Sequence, residues 1–125
     1  MAIKKGIYIL IIYLNKPKKI KIGTLGNIFF KKGYYCYIGS ALNNLEKRVQ
    51  RHLSSKKKIR WHIDYLLKHA KIINVKVKIT NRKLECSVNK KVEKNSKEVI
   101  KSFGSSDCRC KGHLWYFEKK PNIKI

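Results

Sequence analysis

The chain has 125 residues, 43% hydrophobic and 10% aromatic, which fits a single domain (1–125) with its own core and excludes a disordered basic tail. Lys and Arg number 31 against 7 Asp and Glu, a formal net charge of +24. So lopsided a charge repels itself in the compact state and calls for an anionic partner. Nucleic acid is the commonest, because Lys and Arg release its condensed counterions, although a lysine-rich composition inherited from a biased proteome gives the same count. The longest apolar run, 7–14, is far short of the ~20 residues a membrane-crossing helix needs. No small-residue cleavage site follows it, so no membrane association and a cytoplasmic location are expected, with Cys36, Cys86, Cys108 and Cys110 reduced.

In chain order, residues 7–14 read as a β-strand closed by the Asn15-Lys16-Pro17 turn, with 20–22 as the return arm of a hairpin. Gly23, Gly26 and Asn27 break the pattern before a short strand at 28–30. Residues 34–38 carry the strongest strand signal. Alternation puts Tyr35 and Tyr37 on one face and Tyr34 and Cys36 on the other. Asn43 or Asn44 is a suitable N-cap for a helix over 45–53, and residues 59–70 read as a second helix. Residues 72–80 alternate Val75, Val77 and Ile79 against Lys76 and Lys78, a strand with a wet lysine face. Residues 84–93 favour a third helix, 94–112 are mostly a Ser- and Gly-rich loop, and 113–118 read as a closing strand.

Four polar side chains lie on the first two-thirds of this pattern. Arg48 and His52 are four apart and share one helix face. Two cationic groups make a poor structural pair, yet a helix C-terminus favours positive charge, so a solvated basic face and an active-site face both remain open. Tyr8 and Tyr37 come from strands expected to pair; strand tyrosines also serve as ordinary core packing. Glu85 is one of the few acidic residues and opens a helix, where the dipole favours a carboxylate in any case.

Gly6-Ile7-Tyr8, Tyr37-Ile38-Gly39, Arg48 with His52, and the downstream Glu85 together resemble the GIY-YIG nuclease superfamily. The closer resemblance is to its archaeal-type branch, catalogued as a domain of unknown function, DUF123. It rests on Gly33-Tyr34-Tyr35-Cys36-Tyr37-Ile38-Gly39-Ser40-Ala41, on Arg48-Val49-Gln50-Arg51-His52-Leu53, on Trp61-His62-Ile63-Asp64-Tyr65-Leu66-Leu67 and on Glu85-Cys86. The segment from Phe103 through Cys108-Arg109-Cys110 to Leu114 completes it. The resemblance implies a small α/β (α+β) fold, a three-stranded antiparallel sheet flanked by helices, here with an extra C-terminal strand. It also implies metal-dependent cleavage of DNA, as in a repair-type endonuclease, with Mg²⁺ or Mn²⁺. Carried over, Tyr8 and Tyr37 are the paired tyrosines that orient or deprotonate the attacking water. Arg48 stabilises the transition state, His52 assists the base, and Glu85 holds the metal. The superfamily often has an asparagine about a dozen residues past that glutamate; here Asn89 and Asn95 fall at neither spacing, and Ser105, Ser106 or Asp107 could stand in for it.

Other clusters are weaker. Cys108, Cys110 and His113, with Cys86 upstream, supply four soft ligands for a tetrahedral zinc, but at an unusual spacing. Lys56, Lys57, Lys58 and Arg60 form a basic loop suited to phosphates, with Arg51 a further candidate DNA contact; such contacts give salt-sensitive binding without sequence preference. His62 and Asp64, two apart, do not share a helix face and suggest structure rather than chemistry. Two rivals to the nuclease reading follow: a catalytically inactive nucleic-acid-binding module on the same fold, and a zinc-stabilised domain associating with RNA or ribosomes.

Overall fold

The computed structural model describes residues 5–41, 44–54, 58, 59, 61–80, 85–94, 96, 98–100, 103 and 112–122, of which 85–87 and 98 are described in their backbone only. The sheet is antiparallel, and its centre is β1 (Gly6–Leu14) beside β4 (Gly33–Ala41). β5 (Lys71–Ile79) pairs with the other edge of β1. β7 (Leu114–Phe117) pairs with β4, and β6 (Glu98–Ile100) closes the far edge, giving the order β5-β1-β4-β7-β6. β2 (Lys18–Lys21) and β3 (Asn27–Phe30) form a separate two-stranded ribbon.

The residues explain this arrangement. β1 is apolar at almost every position because a central strand buries both faces, so its run is continuous rather than alternating. Its even-numbered residues Tyr8, Leu10, Ile12 and Leu14 join Tyr35, Tyr37, Ile20, Phe30, Ile63 and Leu66 in one core. Its odd-numbered residues Ile7, Ile9 and Ile11 join Cys36, Ile38, Trp115, Val88 and Val92 in another. Helices α1 (Leu45–Leu53) and α2 (His62–Leu67) therefore cover one face with the ribbon, and α3 (Glu85–Glu93) covers the other.

Each helix is seated by a specific contact. The Asn44 side chain caps α1 by accepting from the Lys47 N–H at 3.0 Å. The Asp64 carboxylate reaches back to the Trp61 N–H at 2.9 Å and starts α2. Asn89 locks α3: its Nδ2 donates to the Gly112 carbonyl at 2.7 Å, and its Oδ1 accepts from Trp115 Nε1. That employment is internal and structural, and Asn95, the other nearby asparagine, lies outside the described residues.

Four expectations change. The main sheet has five strands rather than three, because β5 and β6 extend it at both edges. The closing strand lies inside that sheet, between β4 and β6. Residues 18–21 do not return along β1, both of whose edges are already taken by β4 and β5; they pair with β3 instead. The second helix is shorter than 59–70, running His62–Leu67.

Candidate active site

The β1–β4 register sets Tyr8 opposite Gly39 and Leu10 opposite Tyr37, so the two tyrosines are diagonal neighbours on one face. A Cβ at Gly39 would lie 2.4 Å from the Tyr8 ring and hydroxyl, so only a glycine lets the phenol cross its partner strand there. Gly6 is required for a different reason. A Cβ there would lie 2.1 Å from the Lys78 carbonyl oxygen, inside the backbone of β5. The glycines of both tripeptides are thus packing necessities, one serving the tyrosine and one serving the sheet.

Having crossed β4, the Tyr8 hydroxyl meets His52 Nε2 at 2.7 Å, the last turn of α1 carrying the imidazole down onto the sheet. Three aromatic rings surround that imidazole: Tyr8 at 5.2 Å, Trp61 at 5.8 Å and Tyr37 at 6.1 Å between centroids. Tyr8 and His52 are 1% and 2% exposed and Tyr37 is 9%, so Tyr37 is the phenol nearest solvent. A cleft of about 250 Å³ runs past His52, between Leu53, Ser54 and the segment from Leu67 to Ile72.

Arg48 stands one helical turn before His52. Its guanidinium lies 4.6 Å over the Trp61 ring and donates to the Ser40 carbonyl at 3.3 Å, next to Gly39. Arg51, three residues further on and over the same ring, is held differently. Arg51 grips Asp64 through two hydrogen bonds of 3.1 and 3.0 Å, donates to the Lys58 carbonyl at 2.9 Å, and also lies over Trp61, at 4.2 Å. Asp64 is fully buried, so this fork holds α1 and α2 together and occupies the guanidinium within the protein.

Tyr8, Tyr37, Arg48 and His52 therefore converge on one end of the sheet. Glu85 is the first residue of α3, on the other face, and its side chain lies outside the described ones. The Asn89 lock puts the middle of α3 beside Gly112, whose neighbour His113 accepts from the Ile38 N–H at 3.0 Å, so the helix reaches the same end of the sheet. Glu85 is one turn from Asn89, about 6 Å along the axis.

Lys56, Lys57, Arg60, Cys108 and Cys110 lie outside the described residues, as does the Cys86 side chain; so do Ser105, Ser106 and Asp107. Lys58 is exposed, while His113 is buried and joins β7 to Phe103 through its N–H. Among the described residues no group of three or more His, Cys, Asp and Glu side chains could hold a metal, and no helix is long and apolar enough to cross a membrane.

Trp61 is not among the site residues expected from the sequence. It is the platform under both guanidiniums and one wall around His52. Its signal was the pair Arg48 and Arg51, three apart on one helix, since two cations that close need an aromatic face or a carboxylate to hold them. His62 packs edge-on against Phe103 at 5.6 Å, and burial holds its imidazole below the ordinary 6.5.

The fold and this cluster define a small mixed α+β domain with a tyrosine–histidine–arginine constellation at one end of an antiparallel sheet. The chain belongs to the family described as a domain of unknown function, DUF123, which matches residues 7–125. No curated protein and no solved structure matches it.

Proposed function

We propose that this protein is a divalent-metal-dependent endonuclease that hydrolyses DNA phosphodiester bonds, on the plan of the GIY-YIG nucleases and in the repair-type manner of their archaeal branch. The observation that carries the reading is the 2.7 Å contact between the Tyr8 hydroxyl and His52 Nε2, with Tyr37 and Arg48 beside it. A phenol with an ordinary pKa near ~10 is a weak base at neutrality. With the imidazole proton on Nδ1, His52 Nε2 accepts from the Tyr8 hydroxyl and makes its oxygen a better proton acceptor. Tyr37, nearer solvent, orients the attacking water, Tyr8 takes its proton, and His52 takes the proton of Tyr8.

Arg48 offsets charge on the non-bridging phosphate oxygens, and its planar fork suits two oxygens at once. The stacking on Trp61 and the bond to Ser40 hold that fork before substrate arrives. Glu85 would hold Mg²⁺ or Mn²⁺, which supplies neutralisation of charge on the leaving oxygen. One carboxylate is a sufficient protein share, because Mg²⁺ keeps several waters and takes phosphate oxygens for the rest. Lys58 and the basic residues around it supply phosphate contacts, and the net charge of +24 favours a polyanion throughout.

The near-complete burial of Tyr8 and His52 favours a second reading, a nucleic-acid-binding module on the same fold that has lost turnover. A plasmid-nicking assay separates the two. With Mg²⁺ the wild type nicks and with EDTA it does not, while Glu85→Ala and Arg48→Ala bind DNA nearly as well but cut at least about 100-fold more slowly. Cleavage that is equal in all three proteins removes this site from consideration. Binding without cleavage by any of them establishes the second reading.

A further inference from the structure

Among the described residues, β5 is an edge strand of the main sheet, with its outer side open. The Thr80 N–H donates to the Lys5 carbonyl at 2.9 Å, so in antiparallel alternation the backbone groups of residues 78, 76 and 74 face β1, and those of 75, 77 and 79 face outward. Asn74 Oδ1 accepts from the outward Val75 N–H at 2.9 Å, and a bulge at Ile73 interrupts the register before it. Both devices blunt that half of the edge. The half carrying Val77 and Ile79 has neither, and among the described residues no strand pairs with it.

Side chains there divide by face. Val77 lies opposite Tyr8 in the register and so shares the α1 face; at 46% and 60% exposed, Val77 and Ile79 leave much apolar surface in water. With Leu45 and Val49 they line a groove of about 270 Å³ between the sheet edge and α1, with Glu46 and Gln50 also on its walls. Lys76 and Lys78 pair with Ile9 and Ile7 and face the other side.

We propose that this edge docks an extended acidic–apolar polypeptide segment by strand addition. A strand laid about 4.8 Å outside β5 sets its residues directly opposite those of β5. Residues facing Val77 and Ile79 drop into the groove and are apolar; residues facing Lys76 and Lys78 are Asp or Glu. Period two thus reads an alternating pattern, while the main chain binds the outward N–H and C=O groups. A second copy of this chain is the wrong occupant, because β5 against β5 sets lysines against lysines under a net charge of +24 on each protein. Nucleic acid is wrong as well, having neither a peptide main chain nor apolar side chains for the groove.

The probe is a short fluorescent peptide alternating Glu with Val and Ile, measured by anisotropy on the full chain. A blocked peptide of the same composition, with all its Glu residues first, is the control. The alternating peptide should bind at least about tenfold more tightly than the blocked one. Val77→Pro removes one outward N–H without touching the bonds to β1, and should weaken binding by about tenfold while leaving the melting temperature nearly unchanged. Lys78→Glu should weaken the alternating peptide as well. If Val77→Pro does not fold, the same bond is deleted from the other side, by N-methylating peptide residues that pair with β5. Equal affinity for the alternating and blocked peptides overturns the proposal in favour of bulk charge attraction, as does indifference to Val77→Pro or to N-methylation. Sedimentation as a dimer that Val77→Pro abolishes overturns it in favour of self-pairing. None of these readouts depends on nuclease activity.

Discussion

Tyr8 and His52, 44 positions apart, are joined by a 2.7 Å hydrogen bond in the interior, at the crossing of the central strand and the end of α1. The bond couples the fold to the proposed chemistry. Replacing Tyr8 by Phe keeps the ring over Gly39 and deletes the hydroxyl, leaving His52 Nε2 without that partner in a buried setting. Such a loss costs about 1–3 kcal/mol. The expected outcome is a protein that folds, melts several degrees lower, and nicks DNA at least about 100-fold more slowly than wild type. Unchanged nicking by Tyr8→Phe would remove the phenol from the mechanism.

Gly39 is matched to Tyr8 by contact and Gly6 to Lys78, which makes their substitutions distinguishable. Gly39→Ala should destabilise the protein by about 1–3 kcal/mol through overpacking against the phenol. Much of that should return in the double variant Gly39→Ala, Tyr8→Ala measured relative to Tyr8→Ala, because residues in contact couple. Gly6→Ala should show no such rescue by Tyr8→Ala, since it clashes with main chain. Chemical denaturation of the three single and two double variants, beside wild type, reads this directly.

Asp64 is fully buried and shares two hydrogen bonds with Arg51, whose side chain is 23% exposed. Asp64→Ala would leave the guanidinium without its carboxylate and the Trp61 N–H without its acceptor. Breaking a buried pair of this kind typically costs about 3–5 kcal/mol, here discounted toward the lower figure for the exposure of the arginine. Arg51→Met should cost at least as much, because it leaves the fully buried Asp64 carboxylate without its guanidinium even though the thioether can still pack on Trp61. Comparable melting temperatures for Asp64→Ala and wild type would show that the fork is not what joins α1 to α2.

Two imidazoles set an acid limit on stability. Burial lowers the pKa of His62, and burial with the neighbouring Lys18 and Lys68 lowers that of His69, both from 6.5. As pH falls below 6.5 the unfolded chain binds these protons before the folded one does. Stability is therefore full above that value and declines on acidification through it, until pH passes the lowered folded values. Melting temperatures between pH 7.5 and 5 should fall, and His62→Gln with His69→Gln should flatten the decline. A decline of equal slope in the double variant would place its origin elsewhere.

Burial pushes the Cys36 thiol up to about 12, with Lys76 opposing only in part. A thiol in that state carries almost no thiolate at neutral pH. Iodoacetamide followed by peptide mapping should therefore leave Cys36 unmodified in the native protein and modify it in denaturant. Native labelling at Cys36 would mean that the core cluster around it opens readily.

Near-neighbour effects were readable along the chain because they depend on residues within a few positions of each other. The Asn44 cap, the helical face shared by Arg48 and His52, and the alternation that separates Tyr35 and Tyr37 from Tyr34 and Cys36 are all of this kind. So are the strands over β1, β4 and β5 and the chemistry offered by two phenols, a guanidinium and an imidazole. Partnership was not readable in the same way. The two arms around Pro17 look like a hairpin locally, yet β1 gives both its edges to β4 and β5, whose main chains reach it from far along the sequence. β6 is three residues long and has too little pattern of its own; the open edge of β7 recruits it. The fork of Arg51 onto Asp64, thirteen positions away on another helix, has no signal in the residues around either one. Loop closure over such separations is decided by packing and by which backbone edges are still available. The composition of a segment therefore settles what it can form, and the folded neighbours settle what it meets.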